Sequence, residues 1–129
     1  MMEKLWDVVI VGGGPAGYSA ALYAVRAGYS TLVVEMLSPG GQMATTNAIE
    51  NYPGFVESVD GFELAMTMQQ QAEKFGSETL YAQVTAVQLA GPEKTLTTTE
   101  GTLRAKAVIF ATGADPRPLG LPGEDGLRG

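Results

Sequence analysis

Three glycines near the start of the chain have the spacing of a phosphate-binding loop. Gly12, Gly14 and Gly17 fit the pattern G-x-G-x-x-G, with Pro15 and Ala16 between the last two. Such glycines permit a tight turn off a strand, leave room for a pyrophosphate at the backbone and let the next helix pack against a sheet. The helix N-terminus offers N–H groups and a partial positive charge to the anion. The pattern predicts dinucleotide contacts at Gly12, Gly14, Pro15, Ala16 and Gly17, and a glycine turn without a ligand is the alternative.

A carboxylate stands where the ribose of a dinucleotide would lie. Glu35 closes the apolar run at 31–35 and is 18 positions beyond Gly17. A carboxylate at this point can accept hydrogen bonds from both hydroxyls of an adenosine ribose, and it would repel a 2′-phosphate. We therefore expect Glu35 to bind the ribose of an ADP-containing cofactor. These features do not separate FAD from NAD.

The elements that would position these residues follow from the hydrophobic pattern. Apolar runs of strand length predict a parallel sheet, with strands at 7–11, 31–35, 79–81 and 107–111. The run at 107–111 is apolar throughout and predicts burial on both faces. Two helices are predicted at 15–27 and 61–75. The expected class is α/β with a Rossmann-like dinucleotide-binding fold.

The second half of the chain adds less regular segments. Residues 84–105 predict a three-stranded antiparallel meander on one face of the sheet, with its last strand at 102–105. Residues 114–129 contain seven glycines and prolines and predict a linker, in which Glu124 is expected to be solvated. A doubly wound domain usually has five or six core strands, so four indicate a fragment or a chain that borrows elements from another chain.

Composition excludes several classes of function. The chain has no His and no Cys, which removes disulfides, thiol redox chemistry, His or Cys zinc sites and Ser-His-Asp catalysis. A formal net charge of −6 argues against a nucleic-acid partner. The apolar runs fall far short of the roughly 20 residues of a membrane span, and the start has no signal-peptide pattern. We expect a cytoplasmic chain with neither a metal site nor catalytic side chains.

Further motifs give the chain a resemblance to a known family. Residues 7–17, DVVIVGGGPAG, resemble the opening of two-dinucleotide-binding flavoproteins. Four more segments make the chain similar to the N-terminal part of bacterial thioredoxin reductases: GGQM at 40–43, IENYPG at 49–54, ATG at 111–113 and LGLPGE at 119–124. The resemblance covers essentially the whole chain.

The resemblance implies FAD as the cofactor and adds contacts to it. It divides the chain into an FAD-binding domain at 1–113 and a linker at 114–129. Gly41, Gln42 and Asn51 are implied near the ribityl chain and the flavin. The backbone of Val84 is implied at the adenine. The strand end formed by Ala111, Thr112 and Gly113 is implied close to the cofactor.

The resemblance also implies a reaction for the parent enzyme. Electrons would pass from NADPH through FAD to a disulfide and then to a thioredoxin-like protein. The NADPH domain, the redox cysteines and the returning part of the FAD domain have no counterpart here, so we expect an FAD-binding fragment. Its uncovered sheet face predicts self-association, as a homodimer or otherwise, and weak FAD binding or none. The alternative is a monomer in which the loop at 36–58 shields the exposed face. The alternatives are part of a ferredoxin or flavodoxin–NADP reductase, or a non-catalytic nucleotide-binding or assembly module.

Overall fold

Parallel strands and helices alternate from residue 5 to residue 81. The computed structural model describes residues 4–36, 40–114, 117–124 and 126, with the backbone alone at Gln42. The elements in order are β1 (Leu5–Val11), α1 (Pro15–Arg26), β2 (Thr31–Glu35), a 3₁₀ helix (Gly41–Thr45), α2 (Gly61–Lys74) and β3 (Glu78–Tyr81). Three further strands follow: β4 (Val84–Gln88), β5 (Lys94–Thr98) and β6 (Gly101–Phe110).

The strands form one mixed sheet in the order β3-β2-β1-β6-β5-β4. β1 pairs in parallel with both β2 and β6, and β2 pairs in parallel with β3. β4, β5 and β6 are antiparallel neighbours. The predicted Rossmann-like class, the parallel strands and the meander are therefore confirmed. Both predicted helices are present, each ending one residue earlier than expected.

The last meander strand and the fourth parallel strand are one continuous strand, so the prediction of two strands at 102–105 and 107–111 was wrong. The first half of β6 pairs with β5, as in Leu96↔Leu103. Its second half pairs with β1, as in Ile10↔Ile109. Lys106 interrupts the apolar pattern between the halves, but its amine lies 3.2 Å from the Asp7 carboxylate and its side chain is exposed. The charge therefore does not break the strand.

A link of two residues determines where the meander lies. β3 and β4 are opposite edges of the sheet, yet only Ala82 and Gln83 separate Tyr81 from Val84. Three residue steps span at most about 11 Å, whereas six strands side by side would hold the edges about 24 Å apart. The sheet must therefore fold back on itself, which brings the meander over one face of the parallel strands.

Two apolar clusters cover the two faces of the parallel strands. The cluster on the meander side joins β1 and β2 to β5 and β6 through Trp6, Val9, Leu32, Val34, Ala82, Leu96, Leu103 and Ala105. The cluster on the helix side consists of Ile10, Tyr18, Ala21, Val33 and Ala72. Alternate residues of a strand point to opposite faces, which is why Leu32 and Val33 belong to different clusters. The meander is thus on one face, as predicted.

A buried polar contact ties α1 to the outer strand β3. The Tyr18 hydroxyl lies 3.0 Å from Thr79 Oγ1, and burial raises the pKa of Tyr18 to about 12. The Gln69 amide of α2 donates to the Tyr81 hydroxyl at 3.0 Å. These contacts hold both helices against β3. Of the helices that the structure describes, none is long and apolar enough to cross a membrane.

The carboxyl end of β6 is not buried on both faces, contrary to prediction. Ile109 is 39% exposed and Phe110 is 53% exposed. β5 pairs with β6 only as far as Ala105, and in the described part of the chain no strand pairs with the outer side of the following residues. β6 therefore ends in exposed apolar residues along an open strand edge.

The described part of the predicted linker contains a capped turn. The Glu124 carboxylate accepts hydrogen bonds from the Leu119 N–H at 2.6 Å and the Gly120 N–H at 3.0 Å. The bond from Leu119, helped by that from Gly120, holds the pKa of Glu124 below its usual value. Both bonds are exposed, so the carboxylate is solvated as expected, and the flanking glycines let the chain turn back onto it. Residues 115–116, 125 and 127–129 of the predicted linker lie outside the described residues.

Candidate functional site

A cleft opens at the carboxyl ends of the parallel strands β1, β2 and β6. Its volume is about 580 Å³, within the range of roughly 300–1,000 Å³ typical of small-molecule sites. This edge of an α/β sheet is where such folds bind ligands. The lining comes from five places in the chain: residues 11–16, residues 34–36, Gly41 with Met43, residues 82–84 and residues 111–114.

Two glycines of the loop are required by close packing. Gly12 has a φ of +113°, and a Cβ there would lie 2.0 Å from the Ala111 carbonyl oxygen. A Cβ on Gly17 would lie 1.8 Å from the Gly12 carbonyl oxygen. Gly12 therefore allows β1 and β6 to meet at the loop, and Gly17 allows α1 to pack against it. Gly17 lies outside the cleft lining, and its contact with a cofactor stays a prediction.

Gly14 differs, because the space beside it is open. A Cβ there would meet no atom closer than the Gly40 carbonyl oxygen at 3.7 Å, and its φ of −85° is ordinary. α1 begins at the next residue, and its first hydrogen bond runs from the Tyr18 N–H to the Gly14 carbonyl at 3.0 Å. Helix geometry therefore leaves the N–H groups of Ala16 and Gly17 without a carbonyl partner in α1. Open space beside these donors suits an anion.

The Glu35 carboxylate joins the end of β2 to the glycine loop. Its Oε2 accepts from the Gly13 N–H at 2.5 Å, and its Oε1 accepts from the Met36 N–H at 2.9 Å. A Cβ on Gly13 would lie 2.8 Å from Glu35 Oε2, so a larger residue would crowd this contact. Each carboxylate oxygen can accept a second hydrogen bond. The group can therefore hold the loop and still accept from a ligand hydroxyl.

The 3₁₀ helix is held between the glycine loop and α2. The Gly40 N–H donates to the Gly13 carbonyl at 2.6 Å, and the Gly61 N–H donates to the Thr46 carbonyl at 2.9 Å. A Cβ on Gly61 would lie 1.9 Å from the Met43 carbonyl oxygen. Gly61 is therefore a packing residue of the site, although the sequence pattern identified it only as the start of a helix.

Most of the predicted contact residues are brought together in the cleft. Its lining includes Gly12, Gly14, Pro15, Ala16, Glu35, Gly41, Val84, Ala111, Thr112 and Gly113. Asn51 is exposed and lies outside this lining, and the side chain of Gln42 lies outside the described residues. Their contacts with a cofactor stay predictions.

Sequence reasoning missed eight lining residues: Val11, Gly13, Val34, Met36, Met43, Ala82, Gln83 and Ala114. A signal existed for part of this set. Met36 follows β2 and Ala82 follows β3, and the carboxyl ends of parallel strands share one edge of a sheet. Met43 had no such signal, because it lies in a loop without a periodic pattern.

The cleft contains little chemistry of its own. Glu35 is the one titratable side chain among its described lining residues. In the described ranges, no group of three or more Asp or Glu residues could hold a metal ion. The arrangement can bind an anion and a diol, but the described lining has no acid–base pair.

Comparisons with known proteins agree with this geometry. The family model described as "Pyridine nucleotide-disulphide oxidoreductase" matches residues 6–129. The thioredoxin reductase of Streptomyces coelicolor is 49% identical over 130 residues, which cover 99% of this chain and 40% of that protein. The thioredoxin reductase of Mycolicibacterium smegmatis is 50% identical over 127 residues, with 98% and 41% covered. The crystal structure of Lactococcus lactis thioredoxin reductase (FR conformation) matches with a TM-score of 0.86 and 44% identity, over 93% of this chain and 39% of that one.

These matches cover nearly all of this chain but only part of each relative. The chain spans about two fifths of the length of the relatives named above. The family match includes the glycine loop, Glu35 and the strand end at Ala111. The resemblance to bacterial thioredoxin reductases inferred from the motifs is confirmed. The chain belongs to the pyridine nucleotide-disulphide oxidoreductase family.

Proposed function

We propose that this chain is the FAD-binding part of a cytoplasmic, thioredoxin-disulfide reductase-like flavoenzyme, and that its cleft holds the ADP half of FAD. One observation carries this proposal. Open space at Gly14, the N-terminus of α1 and the Glu35 carboxylate lie in a single cleft. A pyrophosphate next to a ribose diol requires that combination of an anion site and a hydroxyl acceptor.

The positions of the lining residues suggest the orientation of the cofactor in the cleft. Its pyrophosphate would lie at Gly14 and Ala16, where the helix N-terminus supplies N–H groups. Its adenosine ribose would donate to Glu35, and its adenine would lie beyond Glu35, along residues 82–84. The rest of the cofactor would continue past Gly41 toward the strand end at 111–113. Backbone donors then bind the phosphates in spite of the chain's net charge of −6.

The chain's own residues bind and orient in this proposal. FAD, when bound, supplies the electron-transfer chemistry, as cofactors do in such enzymes. Glu35 and the loop fix the ADP half, and the cleft between the strand ends and the 3₁₀ helix shields it from water. The chain contains no cysteine, so a dithiol step would need residues other than its own.

The parent reaction belongs to the same proposal. Electrons would pass from NADPH through FAD to a disulfide and on to a thioredoxin-like protein. Relatives named thioredoxin reductase support this reaction over a ferredoxin or flavodoxin reductase. We assign residues 1–113 to the FAD-binding domain and residues 114–129 to a linker. Exposure of Ile109 and Phe110 supports self-association of the isolated chain.

A comparison of FAD with FMN tests the proposed function. Both contain the flavin and the ribityl phosphate, but FMN lacks the adenosine phosphate that the cleft is proposed to recognise. We expect FAD to bind the purified chain at least about tenfold more tightly than FMN, as one well-placed charged contact would produce. Flavin fluorescence measures both affinities, and ADP should displace FAD. Equal binding of FMN and FAD, or FAD binding that ADP does not reduce, would contradict the proposal.

A further inference from the structure

Thr99 lies outside the cleft lining but is bonded to one of its walls. That wall is the link of Ala82 and Gln83 together with Val84. The Thr99 N–H donates to the Gln83 carbonyl at 3.0 Å, and Thr99 Oγ1 accepts from the Gln83 N–H at 3.1 Å. Both backbone groups of Gln83 are thus paired with the same residue of the meander.

The link depends on such contacts because it belongs to neither neighbouring strand. On the β2 side, the Ala82 N–H donates to the Glu35 carbonyl at 3.0 Å. On the meander side, Thr99 makes the two bonds to Gln83. The Ala82 bond places the link beside Glu35. The two Thr99 bonds fix the distance between the link and the turn after β5.

The turn that carries Thr99 is ordered by hydrogen bonds of its own. Thr98 Oγ1 donates to the Gly101 carbonyl at 2.7 Å and accepts from the Glu100 N–H at 3.0 Å. Thr98 is buried, whereas Thr99 is exposed. Thr99 is therefore held in place by the β5–β6 turn, and its hydroxyl needs no ligand to reach Gln83.

We propose that Thr99 is a positioning residue for the adenine end of the cleft. This inference rests on the proposed function, in which the adenine lies along residues 82–84. The glycine loop and Glu35 bind the pyrophosphate and ribose without any contact to Thr99. Loss of the Thr99 hydroxyl therefore loosens the adenine wall and leaves the phosphate end intact.

Two ligands and three variants test the proposal. The ligands are ADP and ribose 5-diphosphate, which has the same diphosphate and ribose but no adenine. Thr99→Val removes the hydroxyl, and Thr99→Ser keeps it. Thr97→Val is the matched control, since Thr97 is an exposed residue of β5 whose backbone carbonyl accepts from Thr85. Calorimetry measures affinity, and amide hydrogen exchange measures the protection of the Gln83 N–H.

The expected result is a selective loss. Thr99→Val should weaken ADP about threefold to tenfold, the scale of one hydrogen bond, leave ribose 5-diphosphate unchanged and speed exchange at Gln83. Thr99→Ser and Thr97→Val should match the wild type. Unchanged ADP affinity in Thr99→Val, an equal loss of both ligands, or unchanged exchange at Gln83 would each overturn the assignment. A wild-type chain that binds no ADP would overturn the proposed function and this inference with it.

Discussion

The glycines of the phosphate loop divide into two kinds at the residue scale. Gly12 and Gly17 are packing residues, since a Cβ on either would overlap a backbone carbonyl. Gly14 has open space beside it and an ordinary φ. The division agrees with the separate tasks that the G-x-G-x-x-G pattern predicts for its glycines: a tight turn, room for a pyrophosphate and close helix packing. The two kinds of position should respond differently to substitution.

Gly17→Ala should destabilise the fold. The new Cβ would lie 1.8 Å from the Gly12 carbonyl oxygen, so α1 must shift away from the loop. We expect a loss of roughly 1–3 kcal/mol in the free energy of unfolding, the usual cost of overpacking, measured by urea denaturation. Gly126→Ala is the control, because a Cβ there meets no atom within 4 Å. Equal stability of the two variants would contradict the packing role of Gly17.

Glu35 has observed contacts with Gly13 and Met36 and a proposed contact with the ribose, which substitutions can separate. Glu35→Ala removes both the ribose acceptor and the bonds to Gly13 and Met36. It should weaken ADP binding by about 1–3 kcal/mol, the scale of a charge-assisted hydrogen bond. Glu35→Gln keeps one oxygen acceptor and should lose less. Glu78→Ala removes an exposed carboxylate of β3 and should leave the affinity measured by calorimetry unchanged. A Glu35→Ala variant that binds ADP like Glu78→Ala would disprove the ribose contact.

At the element scale, sequence patterns predicted elements that are locally encoded. The runs at 7–11 and 31–35 predicted β1 and β2 because unbroken apolar residues suit strands covered on both faces. The start of α2 is also locally encoded, since the Asp60 carboxylate accepts from the Glu63 N–H at 3.0 Å. Lys106 falls between the two strands predicted at 102–105 and 107–111. β6 nevertheless runs through it, because its charge is accommodated by Asp7, a residue distant in sequence.

Non-local contacts explain what the sequence did not reveal about the site. The 3₁₀ helix at Gly41–Thr45 lies in a stretch without hydrophobic periodicity and is held by its contacts with Gly13 and Gly61. The wall at Ala82 and Gln83 exists because the sheet folds back, which no local pattern encodes. The glycine loop and Glu35 could be predicted because their chemistry depends on residue type and short spacing.

Asp7 connects β1 to the residue before β2 and to the middle of β6, and it should make stability sensitive to acid. The Ser30 N–H donates to its carboxylate at 2.9 Å, and the Lys106 amine lies 3.2 Å away. The bond from Ser30, followed by that from Lys106, holds the pKa of Asp7 below its usual 3.8. The folded state therefore favours the ionised form. The contribution of Asp7 to the free energy of unfolding is therefore complete above its usual pKa of 3.8, and it is lost as the pH falls through the lower pKa of the folded state.

Asp7→Asn should remove this part of the acid sensitivity. Urea denaturation across the acid range should show the wild type losing its advantage over the variant below pH 3.8. Asp60→Asn is the control. It alters the N-cap of α2 but leaves the Asp7 contacts, and therefore their share of the pH dependence, in place. Identical pH dependence of the wild type and Asp7→Asn would contradict the role of these contacts.

At the scale of the whole molecule, the open end of β6 predicts association between copies. Ile109 and Phe110 are exposed apolar residues on a strand whose outer side lacks a partner in the described part of the chain. Such an edge can pair with another chain. Light scattering should therefore show particles larger than a monomer at micromolar concentration. The double variant Ile109→Thr, Phe110→Thr should shift the population toward monomer, since threonine preserves strand propensity while reducing apolar surface.

Val56→Thr is the control for this prediction. Val56 is 100% exposed in the loop before α2, so its substitution reduces exposed apolar surface at a place without a strand edge. It should leave the particle size unchanged. A wild-type chain that is strictly monomeric, or a double variant that associates like the wild type, would contradict the proposed surface.

The open space at Gly14 is where we propose that the pyrophosphate of an ADP-containing cofactor binds. Titration of ADP into the wild type and Gly14→Val, followed by calorimetry, tests this position. A Cβ at Gly14 would meet no atom closer than 3.7 Å, and the backbone conformation there is ordinary, so we expect the circular dichroism spectrum not to change. We expect the wild type and the control Gly126→Val to bind ADP, and Gly14→Val not to bind it. A folded Gly14→Val variant that binds ADP as tightly as the wild type would contradict it.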